Sequence, residues 1–264
     1  MFDKRTGNFT KIVSICAIIF FMAPLVVIIL ASFSPTELVL FPPKGFSLKW
    51  YHNIFSSSVN FMSGLSNSLE VGILATLLDL LIAVPAALGL AKYKVRGAKK
   101  LETFFASPMY IPSITFSLVL LQLFAMMGRV PASLRIFAGH LIIIMPYIFR
   151  NTYSILTTYN WTLEEAAASL GASPRRTTFD ITLPLVKAGI VSGAILSFLY
   201  SFDEAVLASM LNSPKFITLP VRIMNYMEYA FDPTLAAIST LLILFSLLII
   251  ILVEKVVGLN MFMK

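Results

Sequence analysis

The sequence predicts an all-α membrane protein of six transmembrane helices with both termini in the cytoplasm. Three observations carry that prediction. The 264 residues are 58% hydrophobic and 12% charged, with a mean hydropathy of +0.87, whereas soluble domains carry about 25% charged residues. Six apolar runs reach the roughly 20 residues that a helix needs to cross hydrocarbon. The 20 Lys and Arg residues also alternate by side: Lys44, Lys49, Arg129, Arg135, Lys215 and Arg222 fall on one, and the other 14 on the opposite one. The positive-inside rule makes the richer side cytoplasmic.

Taken in order, the first span, 12–32, follows Lys4, Arg5 and Lys11. A secretory signal begins that way too, but this apolar run is nearly a full bilayer long and lacks a small-x-small exit, which favours a retained span. The outer loop 33–65 carries Pro42 and Pro43, then Trp50 and Tyr51. Such aromatics favour the headgroup zone, so the loop is expected along the membrane surface. The second span, 66–91, is followed by the basic loop KYKVRGAKKLET, read as a topology anchor. The remaining spans are 104–127, 136–156, 184–209 and 235–257, all within one permeation domain covering 1–264. Asp232-Pro233 reads as an N-cap and first-turn proline opening the last span. Pro24, Pro85, Pro112 and Pro146 lie in or near spans, where each removes a backbone donor and tends to kink its helix. Gly189 and Gly193 form a small-xxx-small pair for close helix contact, within the bundle or at a subunit interface.

Several chemistries are excluded. Cys16 is the single cysteine, inside an apolar run, so neither a disulfide framework nor a cysteine metal site is available. His52 and His140 are too far apart for a local metal motif and read as structural. The basic residues are dispersed between spans, which does not make a nucleic-acid surface. No GxxxxGK[ST] phosphate loop and no Ser/His/Asp set occur. Catalysis by this chain is therefore not expected.

One segment does not fit a bilayer: EEAAASLGASPRRTTFDITLP, residues 164–184, in the loop 157–183. Thr162 and Glu165 fit a capping box. Leu163, Ala166, Ala167 and Leu170 share one shallow apolar face, and Gly171 suits the left-handed residue that ends a helix. Ser173-Pro174 starts a second helix with Arg175 and Arg176 exposed, and Pro184 opens the fifth span. An alanine face is too small to hold firmly in lipid, and Glu164 and Glu165 are repelled by anionic headgroups. A protein groove suits this surface better.

Glu165-Ala166-Ala167, Gly171, Ile181 and Leu183-Pro184, at this spacing and before the penultimate span, resemble the EAA motif of ABC importer permeases. The resemblance covers essentially the whole chain and implies a type I importer fold in the bacterial inner membrane. It implies two paired permeases, here a heterodimer, a cytoplasmic ATPase dimer that holds ATP and magnesium, and an extracytoplasmic solute-binding protein. It also implies that this chain holds no cofactor. Glu164, Glu165, Ala166, Ala167, Gly171, Arg175 and Arg176 are then the ATPase-coupling residues, with Glu165 meeting a basic residue of the ATPase.

Ionisable residues inside spans are functional candidates, and Asp79, Asp203 and Glu204 are the candidates for a translocation path. Asp203 and Glu204 either face a cationic solute or form a structural pair at the end of a broken helix. Asp79 either pairs between helices or meets solute. Glu70, near an outer end, reads as reaching water. SFDEAVLASML, TLPVRI and DPTLAAISTLLI, with PPKGFSLKWYHNIF, resemble the second-permease branch of spermidine/putrescine importers. That branch also includes permeases for ferric iron, opines and aminoalkylphosphonates. A secondary transporter driven by an ion gradient is the rival class, but it calls for inverted repeats, and none is visible.

Overall fold

The structure, a computed structural model, describes residues 4–38, 41–56, 59–93 and 95–257, without the side chains of 4–9, 253, 254, 256 and 257. Lys94 and Lys264 of the cation count lie outside the described residues, as do the side chains of Lys4 and Arg5. Twelve α-helices are assigned among the described residues: α1 (Lys4–Ala31), α2 (Lys49–Ser56), α3 (Phe61–Lys92), α4 (Ala98–Ala106), α5 (Ser113–Met126), α6 (Ala132–Thr157), α7 (Thr162–Ser169), α8 (Pro174–Thr177), α9 (Leu183–Asp203), α10 (Val206–Leu211), α11 (Leu219–Tyr229) and α12 (Thr234–Val257). A 3-10 turn, Ser107–Tyr110, and a π turn, Thr178–Thr182, lie between them. Among the described residues, five stretches are long and apolar enough to cross a membrane, or 6 if one bent pair counts as a span.

One compact unit comprises Met1–Met62 and Ile223–Leu248. From Thr10 to Leu30, α1 is exposed or half-buried throughout, as an apolar helix facing lipid or another subunit would be. In the loop after it, Trp50 is packed inside the unit, 3% exposed. Its Nε1 donates to the Ser34 carbonyl at 2.6 Å, because a buried indole N–H needs a partner. Tyr51 Oη lies 2.7 Å from Ser32 Oγ, and the Phe33 and Phe46 rings stack at 4.8 Å. Asp232 caps α12: its Oδ1 accepts from the Thr234 N–H at 2.9 Å. Its Oδ2 accepts from Tyr226 Oη at 2.8 Å.

The second unit comprises Ser63–Arg222 and Ile249–Lys264. Two apolar clusters form part of its core among the described residues. Val71, Ala75, Leu120, Phe124, Ile136, Ile143, Ile144, Leu207 and Leu211 pack together from α3, α5, α6 and α10. Ala83, Val84, Ala87 and Leu90 of α3 pack with Ile148, Phe149, Leu156 and Val186. Between α6 and α9 the helices touch along an antiparallel seam. A Cβ on Gly189 would stand 2.7 Å from the Asn151 carbonyl oxygen, and one on Gly193 2.8 Å from Ile148 Cα. The small-xxx-small pair therefore packs inside this chain. Polar bonds continue the seam: Ser197 Oγ donates to the Ile144 carbonyl at 3.0 Å, and His140 Nδ1 meets Ser201 Oγ at 2.7 Å.

Two spans depart from expectation. Residues 104–127 are not one helix: the segments Ala98–Tyr110 and Ser113–Met126 meet at 99°. Pro112 stands in the corner and has no N–H to carry the helix through. The fifth span does not start at Pro184 or reach 209. It runs from Pro174 to Asp203 and passes Pro184 through the π turn, where the Leu183 N–H reaches five residues back to the Thr178 carbonyl. A π turn widens the helix, which accommodates the missing proline donor.

Candidate functional site

The segment between α6 and α9 is built from local bonds. Tyr159 and Trp161 pack edge to face at 4.8 Å. The expected capping box of Thr162 and Glu165 does not form. Asn160 performs the capping instead: its Oδ1 accepts from the Thr162 N–H at 3.2 Å and from Thr162 Oγ1 at 2.6 Å. An Asx side chain reaching two residues forward competes directly with a hydroxyl cap. Glu164 and Glu165 occupy the first turn of α7, where the helix dipole favours negative charge.

The helix ends as its glycine requires. Gly171 has φ +86°, its N–H bonds to the Ala168 carbonyl at 2.9 Å, and the Ala172 N–H bonds to the Ala167 carbonyl at 3.0 Å. This is the Schellman closure, which satisfies carbonyls that the helix leaves open. Ser173 then caps α8, accepting from the Arg176 N–H at 3.4 Å. Arg176 Nε sits 3.3 Å from an Asp180 carboxylate oxygen, while Arg175 is exposed.

The two adjacent glutamates face opposite ways. Glu165 is exposed, as are Ala166 and Leu163, while Ala167 is half-buried. Leu170 is 90% exposed. The expected alanine face is thus present and uncovered. Glu164 corrects the expectation that both acids belong to an outward surface: it is 7% exposed. Its Oε2 lies 2.5 Å from Lys92 Nζ, and Thr182 Oγ1 donates to its Oε1. Tyr159 Oη stands 3.4 Å from the same Thr182 hydroxyl. Lys92 and Thr182 are functional candidates that the sequence did not single out. Lys92 ends α3, 72 residues before Glu164, so no local pattern links them.

The candidate path acids also separate. α9 stops at Asp203, which is exposed, whereas Glu204 is buried. Glu204 has left the helix with ψ 104°, and its Oε1 accepts from the Leu207 N–H at 2.9 Å, capping α10. Glu204 thus holds the break between α9 and α10. The rings of Tyr147 and Tyr200, on α6 and α9, lie 5.0 Å apart. Asp79, on α3, is 0% exposed, and neither of its carboxyl oxygens has a hydrogen-bond partner among the described residues.

A profile of the family described as "Binding-protein-dependent transport system inner membrane component" matches residues 80–258. The chain belongs to this family. It is accordingly an inner-membrane, multi-pass permease component of a solute transport system. The matched region holds α7, the π turn and every candidate site residue except Asp79. The permease is 27% identical to the spermidine/putrescine transport system permease protein PotC of Haemophilus influenzae, over 90% of this chain and 91% of the relative. It is 29% identical to the putrescine transport system permease protein PotI of Escherichia coli K12, over 85% and 82%. A putative 2-aminoethylphosphonate transport system permease protein, PhnV of Salmonella paratyphi A, is 31% identical over 93% and 92%. Among solved structures, a chain of a bacterial ABC transporter that imports the acidic polysaccharide alginate aligns with a TM-score of 0.66. It is 19% identical and 98% of each chain is covered. That likeness assigns the fold of an ABC importer permease.

Proposed function

We propose that this permease forms half of the translocation path of a polyamine importer and that the segment 164–184 docks a cytoplasmic ATPase. The observation that carries the docking reading is the outward face of α7. Glu165, Ala166 and Leu170 are exposed on a helix whose closure and inner attachment are complete within the chain. A shallow face with one acid fits a groove carrying a basic residue, and Gly171 sets the exit of the chain from that groove. ATP and magnesium belong to the ATPase. The partner permease is a different chain, a binding protein delivers solute from the outside, and both termini lie in the cytoplasm, a reading supported by the excess of Lys and Arg on that side. Membrane helices are stiff, so moving α7 moves the spans attached to it.

The polyamine reading rests on the relatives named for spermidine and putrescine and on Asp203, an exposed carboxylate where the fifth span breaks. The similarity to PhnV favours a second reading, 2-aminoethylphosphonate, which shares an ammonium group with polyamines but adds an anion. Calorimetry of the associated binding protein against spermidine, putrescine, 2-aminoethylphosphonate and ferric ion separates them. Polyamine binding is the expected result. Binding of the phosphonate alone selects the second reading, and binding of ferric ion alone overturns both.

A further inference from the structure

Among the residues of α7, Glu164 is the only one buried. A short helix usually docks on its own chain through an apolar stripe, but here Leu163, Ala166 and Ala168 are exposed, Ala167 is half-buried and a carboxylate points in. Each of its oxygens binds a different element. Oε2 takes the ammonium of Lys92, in the last turn of α3. Oε1 takes the hydroxyl of Thr182, which is wholly buried in the π turn at the base of α9. Glu164 therefore ties α7 by a charged joint to two membrane-crossing helices. Such a joint resists displacement differently from an apolar contact. Side chains on an apolar face can slide, whereas a buried carboxylate that leaves its ammonium loses the charge compensating it. The π turn adds a second observation. It is where the fifth span departs from regular α-helix, and π turns inside helices are frequent at functional sites.

We propose that Glu164, Lys92 and Thr182 form the joint that transmits movement of α7 to α3 and α9, so that Glu164 is a positioning residue and not a contact of the ATPase. The inference rests on the docking reading above. It also gives the two adjacent glutamates different roles, since Glu165 faces the partner and Glu164 faces the chain's own spans.

The test uses the full transporter, with ATPase, both permeases and binding protein, reconstituted in proteoliposomes. ATP hydrolysis and solute uptake are measured together for Glu164→Gln, Lys92→Met and the exchanged pair Lys92→Glu with Glu164→Lys. Glutamine keeps the shape and an acceptor for Thr182 but removes the charge. The expected result is a complex of normal yield that hydrolyses ATP while solute moved per ATP falls about tenfold, the order of a typical coupling between sites. The exchanged pair recovers a large part of that loss. Unchanged solute per ATP in both single variants, with the complex intact, overturns the inference. So does a drop of the melting temperature of the permease alone that accounts for all lost uptake. If the ATPase fails to associate with the unsubstituted permease, the docking reading itself falls, an outcome visible before any variant is made.

Discussion

Helices α6 and α9 meet through glycine backbone, whereas α7 is anchored to its unit by a buried carboxylate, Glu164. The first contact leaves no space: the place of a Gly193 Cβ is 2.8 Å from Ile148 Cα. At Gly171 no atom stands within 4 Å of the place of a Cβ, and the glycine is needed only for its φ of +86°. The seam is held by shape and tolerates no added atoms. The segment around α7 is held by a few directed bonds and leaves one face bare. The proposed coupling uses both, a bundle that keeps its helix packing and a part that another protein can grip.

Substitutions that add volume or remove a bond break this comparison in a definite order. Gly193→Leu has the largest effect. It forces α6 and α9 apart and costs about 3 kcal/mol or more, read as loss of folded permease from the membrane and a collapsed melting transition in detergent. Gly171→Val comes next. The strained left-handed residue costs about 1–2 kcal/mol, which α7 absorbs by unwinding its end. The permease still folds, and ATPase co-purification falls. Normal co-purification would show that the Schellman closure does not set the docking face.

Ser173→Ala is smaller still. Its capping bond is 3.4 Å long, so the loss is at the low end of the range for caps, about 0.5 kcal/mol, measured as a slight fall in melting temperature. Asp79→Leu sharpens the comparison from inside the packed region. With no partner for either carboxyl oxygen among the described residues, removing the acid is expected to raise stability by about 1 kcal/mol. A lower melting temperature would reveal a partner for Asp79 in the assembled transporter.

The parts of this architecture legible in the sequence are those that depend on neighbours a few residues apart. The apolar runs mark most spans, Gly171 marks a helix end, and Ser173 and Asp232 mark helix starts. The Gly189/Gly193 spacing marks a close contact, although it took the structure to place that contact against α6. What escaped depended on distant residues or on competition between equal local signals. Asn160 and Thr162 both can cap, and the sequence does not rank them. The corner at 111–112 interrupts a run that is apolar throughout, and in a membrane helix hydropathy does not distinguish the packed face from the lipid face. For the same reason Trp50 reads as a headgroup residue although it is buried. Glu164 and Glu165 look alike in the sequence because Lys92 and Thr182, which turn one of them inward, lie far along the chain.

The bare face of α7 is the proposed seat of the ATPase. The most direct measurement is co-purification of the ATPase with Ala166→Trp permease, alongside the melting temperature of that permease alone. Ala166 is exposed, so the indole has room on the isolated chain and none in a fitted groove. The account predicts an unchanged melting temperature with the ATPase lost from the complex. ATPase retained at the unsubstituted level, with ATP-driven uptake intact, would contradict it.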